Sequence, residues 1–450
     1  MTNRDASKPV ATSAEGRPQA VDRIEQFLQE TILLLEQNSV EEDRPGPGRP
    51  RIVPALCLWA GLLVCVLRGF SSQLALWRLL TWQGLWFYPQ FPVSDQAIYK
   101  RLAAAGTEPL QRLFEQISDV LRERLAPYRQ SHLVPWASEV VAIDETTLDP
   151  VARKLPELRQ AVAGAPELLP GKLAGVFDIR CQQWRRVRYI ADARQNEKVV
   201  ARDMVKDLPH GSLILADLGY FAFKWFDDLT DSGQHWISRL RAKTSYKVHH
   251  VYYQNGTTFD GLVWLGAHRA DRAAHAVRLV CFRVGRNKYR YITNVLDPAI
   301  LTIRDIAALY ARRWDFEMAA KLIKRELKLH LLWSSKTNVI LLQIWAVLII
   351  AQILHGLQME IAGRAGVDPF EVSLPLLIAY MPTLARSGQD PVAVMVERGR
   401  QGGFIRPSRR TKIRAPEIPI DQLVPLPPEL ELVRKPRYAQ RKCGRGSERR

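Results

Sequence analysis

At 450 residues the chain is long enough for roughly two to four domains and a large core. Its 64 lysines and arginines against 46 aspartates and glutamates leave a formal charge of +18, which points to a polyanionic partner, most simply nucleic acid, with an anionic membrane surface as the other candidate. Five scattered cysteines, odd in number and never spaced C-x2-C, argue against a disulfide framework or a structural zinc and suit a reducing cytosol.

The first residues, Met1-Thr-Asn-Arg-Asp-Ala, have no apolar core, so no secretory signal is expected. Residues 1 to about 20 are polar and aperiodic, which predicts disorder. Val21 to Gln37 carries Ile24, Phe27, Leu28, Ile32 and Leu35 on one side, an amphipathic helix. Arg44-Pro-Gly-Pro-Gly-Arg-Pro-Arg51 cannot be helical; it reads as a linker, or as an arginine segment able to lie in a minor groove. From Ala55 to about Leu125 the pattern is helical, and Ser94-Asp-Gln-Ala-Ile-Tyr-Lys-Arg-Leu102 combines a serine N-cap, a polar first turn and a basic end, as a DNA-recognition helix needs.

After Pro135 the periodicity shortens to β runs. Glu139 to Ile143 is a strand expected to end in Asp144, Lys172 to Arg180 pairs with Arg185 to Ala191, and Asn196 to Leu208 is a helix. Ser212 to Ala216 is a buried strand followed by Asp217-Leu-Gly-Tyr220, then come a helix over Phe221 to Thr230 and a strand over His235 to Leu240. Leu155 to Pro170 is left as a loop or short helix without a role. Four more strands follow, Tyr246 to Tyr253, Thr257 to Leu265, His275 to Val284 and Lys288 to Thr293, with turns at Asn255-Gly256 and around Gly285.

Asp305 to Lys328 contains no glycine or proline and reads as one uninterrupted helix. At roughly 100° per residue Tyr310, Arg313, Glu317, Lys321, Lys324 and Lys328 fall within an arc of about 80°. Apolar residues flank that stripe on both sides, Leu309, Phe316, Ala320, Ile323 and Leu327 on one and Trp314, Met318, Leu322 and Leu329 on the other, so the charges are expected to face a cleft. A solvated face held by the Glu317 and Lys321 pair is the plainer explanation. Val339 to Leu357 approaches the length of a membrane span, but Gln343, Gln352 and His355 favour a core helix. The run Ile52 to Leu67 is shorter, and is expected to be buried in the same way. Helical segments continue to about Arg400, and the chain then turns proline- and arginine-rich, with clusters at Arg406 to Arg414, Arg434 to Arg437 and Arg441-Lys442 expected to be flexible and to bind phosphates.

The spacing Tyr-x2-Arg-x3-Glu-x6-Lys of Tyr310, Arg313, Glu317 and Lys324 resembles the signature of DDE transposases from bacterial insertion sequences, the insertion sequence four type. Asp217-Leu-Gly-Tyr220 is similar to that group's second-acid motif, and Asp144 stands where a first acid belongs. The order of elements, β-β-β-α-β-α-β and then α, is that of an RNase H-like α/β fold, and a β-strand insertion between the second and third acids is what the same group carries.

The resulting expectation is a disordered start, helix and basic linker over 1–51, an all-α DNA-binding region over 52–134, an RNase H-like catalytic core over 135–240 and 301–360, a β insertion over 241–300, and helices with a basic tail over 361–450. Phosphodiester cleavage needs an activated water and charge relief at the attacking and leaving oxygens, which two Mg²⁺ ions held by convergent carboxylates can supply. Asp144, Asp217 and Glu317 are the candidate catalytic ligands, for Mg²⁺ with Mn²⁺ as a substitute. The resemblance implies that Tyr310, Arg313 and Lys324 hold DNA phosphates, with Lys321 and Lys328 in support.

Glu145 is set aside because it would point the other way if the strand continued, Asp149, Asp178 and Glu197 because they sit in turns or on solvated faces, and the His249-His250 pair lacks partners at zinc spacing. Trp225, Trp236 and Trp264 are candidates for stacking on a flipped base, with core packing the plainer role. The function expected is a DNA transposase, acting on double-stranded DNA as a homodimer in the bacterial cytoplasm at the nucleoid, without a membrane. The rivals are a structure-specific nuclease on the same fold and a catalytically silent DNA-binding relative.

Overall fold

The computed structural model describes residues 23–38, 51–148, 171–192, 195–267, 271–329, 331–334, 336–408 and 414–438. The start expected to be disordered, the basic segment before Arg51, the segment Leu155 to Pro170, Asp149, residues 409–413 and the pair Arg441-Lys442 lie outside them.

Helices come first: α1 Arg23–Asn38, α2 Ala55–Leu67, α3 Gln73–Arg78, α4 Asp95–Ala104 and α5 Glu108–Arg124. Pro54 stands at the N-cap of α2, where its missing N–H costs nothing, and the uniformly apolar Cys57 to Val66 is buried all round. The Ser94 hydroxyl of α4 accepts from the Ala97 N–H at 3.3 Å, so that cap forms as its residue type requires. In α5, Leu110, Leu113, Phe114, Ile117 and Leu121 recur every three or four positions and make its buried face.

Nine strands form one sheet: β1 Val140–Thr147, β2 Lys172–Asp178, β3 Gln183–Ile190, β4 Leu213–Ala216, β5 His235–Arg239, β6 Tyr246–Asn255, β7 Thr258–Leu265, β8 Val277–Val284 and β9 Asn287–Thr293. Their order is β3-β2-β1-β4-β5-β9-β8-β7-β6. β1, β2 and β3 are antiparallel, β1, β4 and β5 are parallel, and β9 joins β5 antiparallel. Strands β6 to β9 therefore extend the same sheet rather than forming a separate unit, because β9 satisfies the outer edge of β5.

Alternation along β1 divides two cores. Val140 and Ala142 face a core shared with the N-terminal helices, with α8 Ile303–Arg312 and α9 Trp314–Lys321, and with α10 Thr337–Ala365. Val141 and Ile143 face the other, with α6 Lys198–Val205 and α7 Phe223–Asp231. The result is a mixed α/β fold with helices on both faces of a large sheet.

By length and composition α10 could cross a membrane, yet here it is the central core helix, in contact with α2, α4 and α5. Its polar residues are bound inside. Gln352 donates to Ser118 Oγ at 2.8 Å and to the Trp184 carbonyl at 3.0 Å, while accepting from Trp184 N–H at 2.7 Å. Gly366 ends the helix at φ 63°, a conformation open to glycine.

The tail departs from expectation. Residues 414–438 dock along the outer strands: Val424 N–H donates to the Tyr252 carbonyl at 2.9 Å, and Ala276 N–H to Leu432 at 2.8 Å. Arg434 is not free for phosphate, since it donates to the Ala273 and Leu265 carbonyls at 3.0 and 2.5 Å and covers the Trp264 ring. The docking follows from backbone pairing, which satisfies carbonyls at the sheet margin.

Candidate active site

Parallel pairing of β1 with β4 stops at Ile143 and Ala216, so Asp144 and Asp217, the next residues of each chain segment, stand side by side where β4 ends. β1 does not end at Asp144 as the sequence suggested. It runs on to Thr147, paired only with β2, because Lys172 to Gly175 supply an antiparallel edge.

Opposite Asp144 lies Gly175. A Cβ there would come within 2.6 Å of the Trp184 ring and 2.8 Å of the Phe316 ring, so this glycine lets α9 settle closely on β1. Phe316 precedes Glu317, and its burial carries the third acid to the first two.

The helix holding the tetrad is bent, not uninterrupted. A capping box at Thr302 and Asp305 starts α8. The amides of Arg313 and Phe316 then bond three residues back, to Tyr310 and Arg313 carbonyls at 3.2 and 3.3 Å, a local tightening that separates α8 from α9. After Lys321 the turn loosens into a π-helix, Leu322–Glu326, and Lys328 leaves it at φ 54°, its ammonium bonded to the Gly69 carbonyl at 3.3 Å. Lys328 is thus turned away from the stripe. The second flank is packed only in part: Trp314 is 46% and Met318 37% exposed, while Leu322 and Leu329 are buried.

The three acids meet around one guanidinium. Arg313 Nη1 donates to Asp144 Oδ2, Nη2 donates to Glu317 Oε1 at 3.2 Å, and Nε stands 3.9 Å from Asp217 Oδ1. Tyr310 OH donates to Asp217 Oδ1 at 3.5 Å and lies 3.4 Å from the Ala216 carbonyl. Lys324 Nζ reaches Thr146 Oγ1 at 2.5 Å on the continuation of β1, while Lys321 is exposed at the rim.

Burial pushes the Asp144 carboxyl up from 3.8 to about 6, opposed by Arg313 and the Glu145 N–H and reinforced by the charges of Asp217 and Glu197. Burial also works against the Arg313 charge, but Asp144 and Asp217 more than compensate, and its pKa is raised. The phenol of Tyr310 is raised by burial, so it stays a hydrogen-bond donor.

Carboxylate oxygens are the donors that Mg²⁺ and Mn²⁺ prefer, and the three acids already focus on a cationic group. They fit a divalent ion in donor chemistry. Among the described residues no three acids, histidines or cysteines stand close enough to hold an ion as they are, because Arg313 separates them.

The acids set aside behave differently from one another. Asp178 is buried, accepting from the Arg180 and Cys181 amides at 2.7 and 3.0 Å. Glu145 points to the opposite face of β1 and lies 2.5 Å from Lys172 Nζ. Glu197 is half-buried in the turn that opens α6, where it lies against Gly219. Its position at a helix start just after β3 was the signal available in the sequence. His249 and His250 bond the Glu431 and Val424 carbonyls, and Trp225, Trp236 and Trp264 are all buried.

Residues 171–353 match the family model of the transposase DDE domain. This span includes Asp217 and the whole tetrad, while Asp144 lies before it. The candidate transposase y4zB of Sinorhizobium fredii is 25% identical over 43% of this chain and 52% of its own length. A transposase for insertion sequence element IS231F of Bacillus thuringiensis subsp. israelensis is 24% identical over 36% of this chain and 34% of its own. The chain thus spans about half the length of the first of these relatives and about a third of the second. A solved piggyBac transposase synaptic complex with hairpin DNA aligns with 90% of this chain and 86% of that one, at 10% identity and a TM-score of 0.36, too low to equate the folds. The family match and these relatives support a DDE transposase.

Proposed function

We propose that this chain is the transposase of a bacterial insertion sequence of the Tyr-x2-Arg-x3-Glu-x6-Lys group, cutting the ends of its element and joining the freed 3′-hydroxyls to target DNA. The observation that carries the reading is the convergence of Asp144, Asp217 and Glu317 on Arg313 from β1, the end of β4 and α9. The strand order β3-β2-β1-β4-β5, with α8 to α10 behind it, supports an RNase H-like core extended by the β6 to β9 insertion.

Asp144, Asp217 and Glu317 would hold two divalent ions, Mg²⁺ or Mn²⁺, which supply an activated oxygen nucleophile and relieve charge on the leaving oxygen. Arg313 binds the acids in the DNA-free chain and is placed to exchange a carboxylate for the scissile phosphate, a bidentate partner of the same single charge. Tyr310 fixes Asp217 and donates from a dry environment, which strengthens its hydrogen bond. Lys324, at the end of β1, and the exposed Lys321 offset flanking phosphates and align the backbone for in-line attack. Helices of 52–134 supply further double-stranded DNA contact, two copies pair the element ends, and the protein works at the nucleoid in the cytoplasm.

The test incubates the purified chain with Mg²⁺ and DNA carrying the element's inverted repeats. Nicks at the ends and strand-transfer products are expected, and Asp144→Asn, Asp217→Asn and Glu317→Gln should each lower them by roughly 10²–10³-fold, the scale of losing one preorganised electrostatic group. Cutting without joining would point instead to a nuclease. Binding without any Mg²⁺-dependent cut would leave a silent DNA-binding protein.

A further inference from the structure

Arg313 stands at the bend between α8 and α9, with Arg312 before it and Asp315 after it. These two form a group of their own. Arg312 Nε donates to Asp315 Oδ2 at 2.8 Å, bridging the bend. Its other nitrogens reach away from the helix: Nη2 donates to Gln130 Oε1 at 2.7 Å, in the segment between α5 and β1, and Nη1 to Asp368 Oδ2 at 3.3 Å, just after α10. The guanidinium also lies 4.6 Å from the centre of the Phe370 ring. The Asp315 side chain is 1% exposed and that of Arg312 11%, so the pair is largely shielded from water and its hydrogen bonds are strong and directional.

The same Asp315 oxygen accepts from Gln182 Nε2 at 2.8 Å. Gln182 lies in the turn between β2 and β3, is buried, and has φ 54°, a left-handed conformation unfavourable for a residue with a side chain. Its amide also donates to the Ile179 carbonyl at 2.9 Å, which holds the side chain in place. A strained, buried turn residue therefore presents a donor to the carboxylate that follows the bend. β2 is paired with β1 through and beyond Asp144, so this network ties the bend to the strand pair that carries the first acid.

A buried ion pair adds little net stability over apolar packing of the same volume, and what its directional bonds fix is geometry. We propose that Arg312, Asp315 and Gln182 are positioning residues, which set the bend at Arg313 from the β2–β3 turn and so hold Arg313 and Glu317 in register with Asp144. The inference rests on the reading of Arg313 and Glu317 as parts of a DNA-cutting site. Lysine cannot replace Arg312, because three acceptors in three directions need a planar fork.

The experiment compares wild type with Arg312→Lys, Asp315→Asn and Gln182→Gly. Hydrogen–deuterium exchange of the DNA-free chain in EDTA is read over residues 313–317, with α10 as the control. Strand transfer in Mg²⁺ is timed against DNA concentration, at a temperature where each variant is folded. Arg312→Lys and Asp315→Asn should speed exchange over 313–317 by roughly tenfold and leave α10 unchanged. They should lower the strand-transfer rate at saturating DNA by roughly tenfold or more, with the half-saturating DNA concentration within about twofold of wild type, since phosphates are still bound while the acids are misaligned. Gln182→Gly removes the strain along with the donor and should show the same local loosening, which keeps the test open if the other two fold poorly. Unchanged exchange over 313–317 overturns the inference. So does faster exchange there without a slower strand-transfer rate, or a loosening spread evenly over the bend and α10, the mark of a general structural role. If wild type itself gives no strand-transfer product, the underlying reading fails, and exchange alone decides whether the network sets the bend.

Discussion

Replacing Arg313 by methionine keeps the apolar stem and removes the guanidinium that three carboxylates share. Breaking a well-buried ion pair from one side costs about 3–5 kcal/mol, since a charge is left without compensation. Arg313 is 7% exposed, and of its partners the Asp144 side chain is 16% exposed while Asp217 and Glu317 are 39% and 32%. One acid is therefore buried and two are half solvated, which reduces the expected loss to about 2–3 kcal/mol at pH 7.5 in EDTA. Urea denaturation measures it.

The sign with pH is set by Asp144, whose carboxyl titrates near 6. At pH 5 that group is largely neutral in the fold and needs no cation, so the deficit of Arg313→Met should shrink. Millimolar Mg²⁺ should restore more stability to the variant than to wild type, because an ion bound only by the folded chain takes over the guanidinium's charge. A loss under about 0.5 kcal/mol, of the size of an exposed pair, or a loss equal at pH 5 and 7.5, would refute the account of Arg313 as the centre of the site.

Asp144→Asn tests the same burial from the other side. A carboxyl whose folded pKa is raised loses stability as pH climbs between about 4 and 6, so the neutral asparagine should be more stable than wild type by about 1–3 kcal/mol at pH 7.5 in EDTA and show little difference at pH 4.5. Gly175→Val should push Phe316 and α9 off β1, costing about 1–3 kcal/mol in a urea melt and lowering strand transfer by more than the stability loss explains, since Glu317 moves with the helix. A variant with unchanged strand transfer would show that α9 does not need this contact.

Much of the fold was legible because its signals are local. The short β runs of β1 to β9 and the serine cap of α4 depend on residues a few positions apart, and the structure places strands and helix where those patterns are. The bend at Arg313 was not legible. Asp305 to Lys328 is composed of good helix formers, and its break at Arg313, marked by i−3 hydrogen bonding, falls where that side chain reaches two distant acids, Asp144 and Asp217. Trp314 and Met318 looked like a packed flank because helical projection assumes a straight axis. Glu197 was set aside because chain position alone does not show on which side of Gly219 a carboxylate will lie.

By itself the sequence determined the residue types and the intervals: a tetrad at fixed spacing, two acids after apolar runs, and a basic balance that calls for a polyanion. Only the tertiary structure decided which acids meet, that Arg313 stands between them, that β6 to β9 continue the sheet of β1 to β5, and that residues 414–438 dock on it. The physical reason is range. Periodicity and capping are written within a turn or a strand, whereas the meeting of Asp144, Asp217 and Glu317, 73 and then 100 positions apart in the sequence, depends on strand register and on a glycine that lets one helix lie close.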